Sequence, residues 1–297
     1  MDNKTYKPII SSGWTDYELL DSGNMRKLER FGSVTLDRYE PEASWKPAMN
    51  SGQWQAKHKY ITTHPNKDGQ WSPNKKLHED WNISLDSLQI ALRISKSRHI
   101  GIFPEQVENW RWLEHTIQNF EKPIQVLNLF AYSGVASLYC ARAGAQVTHV
   151  DASRVGIDLA KQSQEMSGLQ TKPIRWIIDD AIKFTEKELR RGNRYQGIIL
   201  DPPLFGRGPK GEIWKFEKDI EKLLALIGKL FAGENRFFLL TAYNIQVELE
   251  QLAEWVTTKT ADGQAEIQYG PLIQMEKSAQ RQIAQAVYVR WASLDKE

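Results

Sequence analysis

The chain predicts an α/β fold built on a doubly wound, mostly parallel sheet of seven strands, and three observations carry that expectation. From residue 124 onward, short apolar runs alternate with helix-length segments, and such alternation demands right-handed crossovers between parallel strands. The apolar strand Val126-Leu127-Asn128-Leu129 enters a tight turn, Phe130-Ala131-Tyr132-Ser133-Gly134, and the next strand ends in an acid, Asp151. This βαβ layout sets a carboxylate beside a ribose. Near the end, 266–274 and 284–291 are strand-like with no helix-length segment between them, so the last two strands should pair antiparallel.

Each element follows in order. Residues 1–80 carry short apolar runs broken by Gly, Pro, Asn and Ser, with Trp14, Trp45, Trp54 and Trp71 among them. Residues 32–39 alternate as a strand does and 17–23 end in turn chemistry, which predicts a small β-rich N-terminal domain. Asp68-Gly69, Ser72-Pro73-Asn74 and Lys75-Lys76 read as the linker, and a strand-like run, 83–94, opens the main domain, 81–297. A helix over 106–120 stops at Lys122-Pro123. Strand 124–129, helix 134–143 closed by Gly144, strand 146–150, helix 154–167 closed by Gly168 and strand 174–178 come next. Helix 181–191, strand 197–200, helix 220–231 and strand 236–240 complete the alternation.

Composition narrows the function classes. Lys and Arg number 39 against 37 Asp and Glu, a net charge of +2, so any pull on nucleic acid must come from a local patch. The single cysteine, Cys140, excludes an intramolecular disulfide and a cysteine-based zinc site, and the six histidines show no metal-ligand spacing. Met1-Asp2-Asn3-Lys4 lacks the apolar core of a signal peptide and no apolar run is long enough to span a bilayer, which predicts a cytoplasmic protein.

The turn after the first buried strand discriminates between nucleoside cofactors. A dinucleotide pyrophosphate needs close backbone approach at three glycines, and here there is one, Gly134, with Phe130 and Tyr132 crowding the space. A methionyl sulfonium asks for no phosphate cradle, which favours methyl transfer over hydride transfer.

Asn128–Gly134, Asp179-Asp180-Ala181 and Asp201-Pro202-Pro203-Leu204-Phe205 resemble the class I S-adenosylmethionine-dependent methyltransferases. Together with His99-Ile100-Gly101-Ile102-Phe103-Pro104-Glu105-Gln106, they are similar to the bacterial branch that includes large-subunit ribosomal RNA methyltransferases. The resemblance covers roughly residues 80–297. It implies a Rossmann-like sheet, S-adenosyl-L-methionine as cofactor and an RNA substrate. It also implies a cofactor-binding set of Phe103, Gln106, Asn128, Phe130, Ala131, Tyr132, Ser133, Gly134, Asp151, Ser153, Asp180 and Ala181.

Within that set, Asp151 is placed to accept from both ribose hydroxyls. Asp180 matches the family position that accepts from the adenine amine, and Phe103 and Gln106 lie over the cofactor. Ser153 is also the expected cap of the following helix, and Asp179 could serve equally as a cap.

The acceptor chemistry is expected at Asp201, Pro202, Pro203 and Phe205. Two prolines stiffen the backbone and remove donors, leaving an acceptor surface that holds an amine and aims its lone pair. In the N-methylating pattern an aromatic residue directly follows the second proline; here Leu204 stands there and Phe205 comes one later. Cytosine C5 chemistry needs a thiolate, and alanine, Ala242, stands after the fifth strand where relatives have that cysteine.

Basic residues cluster at Arg93, Lys96 and Arg98, at Arg190, Arg191 and Arg194, and at Arg207, Lys210, Lys215 and Lys218. The last group, interleaved with Phe205, Trp214 and Phe216, is either a nucleic-acid surface or a plain solvated face. The expected reaction is methyl transfer to a nitrogen of an RNA base, ribosomal RNA foremost. Methylation of a protein side chain or small molecule, and a cofactor-binding module without catalysis, are the rival readings.

Overall fold

The computed structural model describes residues 4–62, 69–73, 80–95, 98–261 and 265–294. Asp68, Asn74, Lys75 and Lys76 of the expected linker, and Lys96 of the first basic cluster, lie outside the described residues.

The chain opens with β1 (Lys4–Tyr6) and β2 (Ile9–Ile10), then builds a small sheet from β3 (Tyr17–Gly23), β4 (Arg26–Phe31), β5 (Val34–Tyr39), β6 (His58–Ile61) and β7 (Gln70–Ser72). These five lie in chain order, antiparallel except for the parallel β5–β6 pair. Next comes a two-stranded hairpin, β8 (Asp80–Leu85) and β9 (Leu88–Arg93). The sequence reads 83–94 as one strand; in the structure Asp86 and Ser87, with φ of 45° and 69°, fold it back on itself. Positive φ at both central residues makes a two-residue turn whose twist suits paired strands.

The main domain follows with α1 (Val107–Gln118), β10 (Gln125–Leu129), α2 (Val135–Arg142), β11 (Gln146–Asp151), α3 (Arg154–Met166), β12 (Ile174–Ile178), α4 (Ala181–Arg191) and β13 (Gly197–Leu200). It ends with β14 (Phe205–Arg207), β15 (Ile213–Lys215), α5 (Phe216–Gly228), β16 (Arg236–Ala242), α6 (Leu249–Thr260), β17 (Glu266–Met275) and β18 (Gln282–Ser293).

The large sheet runs β12-β11-β10-β13-β16-β18-β17-β1, with β2 also paired to β17. Only seven of its strands, from β10 on, were expected, and β1 and β2, from the stretch assigned by sequence to the small domain, instead extend the large sheet along β17. As expected, β18 is the antiparallel strand, against both β16 and β17. The crossovers diverge between β10 and β13, which opens a crevice at their carboxyl ends.

Several apolar clusters lie against this sheet, among them one under α1 and α2 on the face away from α4–α6, through Leu113, Ile117, Cys140 and Phe237, and two others. One packs α4, α5 and α6 on one face through Phe184, Ile220, Leu224, Leu252 and Trp291. The other joins the small sheet (Phe31, Leu36, Tyr60, Trp71), the β8–β9 hairpin, residues 100–107 and α2, so the small sheet reaches the main domain through the segment that leads into α1.

Candidate active site

The crevice between β10 and β13 gathers most of the residues that the sequence singled out. Phe130 and Tyr132 carry φ of 56° and 44°, and Gly134 a φ of 75°. A non-glycine residue in this left-handed region is uncommon and costs strain, of the kind that clusters at ligand sites. The strain is held from outside. Ala131 N–H donates to Val150 O at 3.2 Å, Tyr132 N–H to Asp151 Oδ2 at 2.8 Å, and the Ser133 hydroxyl to Gly101 O.

Gly134 meets both a conformational and a spatial demand. A β-carbon there would lie 2.8 Å from Ala160 Cβ and 3.2 Å from His149 Cε1. It begins α2 with no side-chain cap, so first-turn amides and the helix dipole remain for an anionic group such as a cofactor carboxylate.

Asp151 closes β11, and each of its oxygens already takes one backbone amide, Tyr132 N–H at 2.8 Å and Ser153 N–H at 2.7 Å. Each oxygen keeps a second lone pair, so the carboxylate is aimed before any ribose arrives. Burial raises its pKa, and those two amides pull in the opposite direction. Ser153 caps α3 by accepting Gly156 N–H at 3.1 Å. Asp180 caps α4 through Oδ1, accepting Lys183 N–H at 2.9 Å, while Asp179 pairs with Lys187. Ala181 is buried under the same helix start.

Asn128 differs from its expected place. Its side chain lies beneath the loop, donating to Ser137 Oγ at 3.0 Å, and Ser137 in turn meets His149 Nδ1 at 3.0 Å. The amide thus braces the floor of the turn. Burial holds His149 neutral, with a pKa lowered to about 3.

Phe103 spans the crevice, its ring 6.1 Å from that of Tyr132 and 5.4 Å from that of Tyr243. Phe130 packs on Trp214 at 4.8 Å. Gln106 is buried and ties three elements together: its Nε2 donates to the Tyr243 hydroxyl at 3.1 Å, and its Oε1 accepts from Asn109 and Thr241 at 3.2 Å each.

Asp201 follows β13, with its amide donating to Leu129 O at 3.3 Å. Its Oδ1 is buried and has no hydrogen-bond partner among the described residues. Burial, then the charges of Glu105 and Asp151, push its pKa up to about 8. The expected all-acceptor surface is narrower than the two prolines suggest. Pro203 O accepts the Trp214 indole N–H at 2.7 Å and Leu204 O accepts Phe216 N–H at 3.0 Å, so Asp201 is the acceptor left unspent.

Phe205 sits on the outward face of the β14–β15 hairpin, 51% exposed, with Arg207, Ile213 and Lys215, while Trp214 turns inward. Cys140 is fully buried in α2 and its thiol is pushed up by that burial, far from nucleophilic character.

Sequence reasoning missed Trp214 as a wall of the site, Glu105 and Tyr243 as neighbours of Asp201, and Gln274 as the partner of Glu105. Only the aromatic residue directly after β16, Tyr243, offered a signal. Among the described residues no cluster of His, Cys, Asp or Glu could hold a metal ion, and no helix is long and apolar enough to cross a membrane.

Comparison with known proteins agrees with this geometry. The profile of the S-adenosylmethionine-dependent methyltransferases matches residues 27–240. A methyltransferase of this kind from Agrobacterium tumefaciens superposes with a TM-score of 0.90 at 36% identity, covering 97% of this chain and 94% of that one. A methyltransferase solved in complex with SAH shares the fold at a TM-score of 0.66 and 18% identity, over 94% of this chain and 76% of that one. Ribosomal RNA large subunit methyltransferase I of Aeromonas salmonicida is 28% identical over 124 residues, 41% of this chain. The chain spans only 30% of that relative's length. The strained loop, the aimed Asp151 and the uncapped start of α2 fit S-adenosylmethionine, and the chain belongs to the S-adenosylmethionine-dependent methyltransferases.

Proposed function

We propose that the protein methylates a nitrogen of an RNA base, ribosomal RNA first among RNAs, with Asp201 holding the acceptor. The observation that carries this reading is the surface beside Asp201. Leu204, Phe205 and Ile213 are 41%, 51% and 59% exposed, with Arg207 and Lys215 on the same hairpin face, Lys210 in its turn and Lys218 on α5. Apolar and aromatic groups interleaved with cations suit single-stranded nucleic acid, whose bases stack while its phosphates pair. Three acids share this stretch: Glu212 is occupied by Lys183 at 2.6 Å and by Lys210 N–H at 2.8 Å, Asp219 accepts Lys215 N–H at 2.8 Å, and Glu217 stands beside Lys218 at the start of α5, so the cations are offset only in part.

In this reading the loop 130–134, Asp151 and Asp180 hold the methionine, ribose and adenine parts of the cofactor, and Phe103 closes over them. When bound, the cofactor would supply a methyl group on a sulfonium, with a thioether as leaving group, to the lone pair of the acceptor nitrogen. Asp201, unspent and buried, orients the amine and lies where its proton must leave. Positioning supplies most of the rate. The small sheet helps select the substrate, and the place of work is the cytoplasm.

The test is methyl incorporation from labelled cofactor into ribosomal RNA of a strain lacking the gene, followed by mass analysis of the nucleosides. An N-methylated base is expected. Label confined to protein or small molecules, or a methyl on ring carbon or ribose oxygen, would overturn the reading.

A further inference from the structure

A second carboxylate lies near Asp201: Leu200 pairs with Leu240, which sets Asp201 beside Thr241, and the Thr241 hydroxyl bonds Gln106, the neighbour of Glu105. Glu105, in the 3-10 turn Pro104–Gln106 that precedes α1, is 4% exposed and forms no ion pair among the described residues. Its Oε2 accepts Gln274 Nε2 at 3.2 Å, and Tyr243 hydrogen-bonds it while receiving the Gln106 amide at 3.1 Å. Gln274 is 1% exposed and its own Oε1 has no partner, the same condition as Asp201 Oδ1. A buried acceptor without a partner on Asp201, and another on the residue that holds Glu105, are costly and point to donors arriving with a ligand.

We propose that Glu105 is the second carboxylate of the acceptor site, a positioning residue that shares one proton with Asp201 across Tyr243 and so sets the charge with which Asp201 meets the acceptor. This deepens the function proposed above and rests on the assignment of Asp201 to the acceptor.

The charges around the pair come from every neighbouring element. Asp201 faces Glu105, Asp151 on β11 and Tyr243 beyond β16. Glu105 faces Lys27 and Glu29 on β4, Arg38 on β5 and Tyr17 on β3, besides Tyr243. Burial raises Glu105, Lys27 and Arg38 draw it back, and the net direction is up. Lys27 and Arg38 form their ion pairs elsewhere, at 3.1 Å with Glu40 and 2.7 Å with Glu29, so they act on Glu105 only from a distance. Two carboxyl groups in one dry cluster cannot both ionise easily, and the proton they share titrates as a property of the pair.

The experiment needs no methyl acceptor, so its failure is distinct from failure of the RNA reading. The full-length protein, saturated with S-adenosylhomocysteine and carrying carbonyl-labelled Asp and Glu, is titrated by carbon-13 NMR, with Asp201→Asn identifying the Asp201 signal. In the native protein the Asp201 signal should titrate near pH 8 and show a second inflection where Glu105 titrates. In Glu105→Gln the midpoint should fall by at least about one pH unit, the size expected for strongly interacting sites, and Glu105→Asp should restore most of it. A single inflection in the native protein, or an unmoved midpoint in Glu105→Gln, overturns the proposal. The native curve decides the question even if Glu105→Gln fails to fold.

Discussion

Two buried carboxylates in this molecule meet opposite fates. Glu29, on β4 of the small sheet, receives both a Nε–H and a Nη2–H bond from Arg38, at 2.7 and 2.9 Å, and the Tyr17 hydroxyl at 3.0 Å. Burial would raise its pKa, but Arg38 and then Lys27 outweigh that and hold it below the usual range. Asp201, on the rim of the large sheet, is half-buried with its Oδ1 enclosed, has no cation and no Oδ1 partner among the described residues, and is driven up to about 8. Burial is common to both; the partner decides the sign. A paired buried acid belongs to the architecture, whereas an unpaired one waits for a ligand.

Breaking the pair in the small sheet should have the largest effect on stability. Arg38→Met strands the Glu29 charge and is expected to cost about 3–5 kcal/mol, read as a fall in the denaturant midpoint. A loss below about 1 kcal/mol would mean that Glu29 simply takes up a proton and needs no partner.

The pH dependence of folding sharpens the same contrast with opposite signs. Glu29 has a folded-state pKa below its unfolded one, so its stabilisation is complete above the ordinary carboxylate range and is lost as pH falls through the folded-state value. Asp201 has a folded-state pKa raised to about 8, so the folded protein binds the extra proton and stability declines as pH climbs from about 4 toward 8. Unfolding curves of Asp201→Asn across that window should decline less than those of the native protein. Parallel curves would mean that Asp201 is ordinarily ionised.

The smallest effect belongs to a residue at the same rim whose role is local. Ser153→Ala removes the cap of α3 and is expected to cost about 1 kcal/mol, measured as a modest shift of the thermal midpoint. A change near zero would indicate that Asp151, which holds Ser153 N–H, carries the helix start by itself.

The sequence made the alternation of strands and helices legible because buried parallel strands are continuous apolar runs and their helices end at glycines such as Gly168. It also exposed Asp151, Ser153 and Asp201, each placed by a strand end. What escaped it was short or distant. The β14 and β15 strands are three residues each, below any periodicity, and they moved α5 to Phe216–Gly228, ahead of the expected 220–231. The α6 segment hides behind a polar start and two adjacent threonines, Thr257 and Thr258. Asn128 is polar within an apolar strand, which reads as a ligand contact until its bond to Ser137 is seen. Glu105 and Gln106 meet Gln274 and Tyr243 across 169 and 137 residues of chain, a convergence that only the folded sheet creates.

The most direct test is single-turnover methyl transfer to ribosomal RNA by the Asp201→Asn protein saturated with S-adenosylmethionine. The expected outcome is unchanged cofactor binding with transfer slowed at least about 100-fold, the lower range for loss of a positioned acid or base. Transfer at the native rate would show that the unpaired carboxylate has no part in receiving the methyl group.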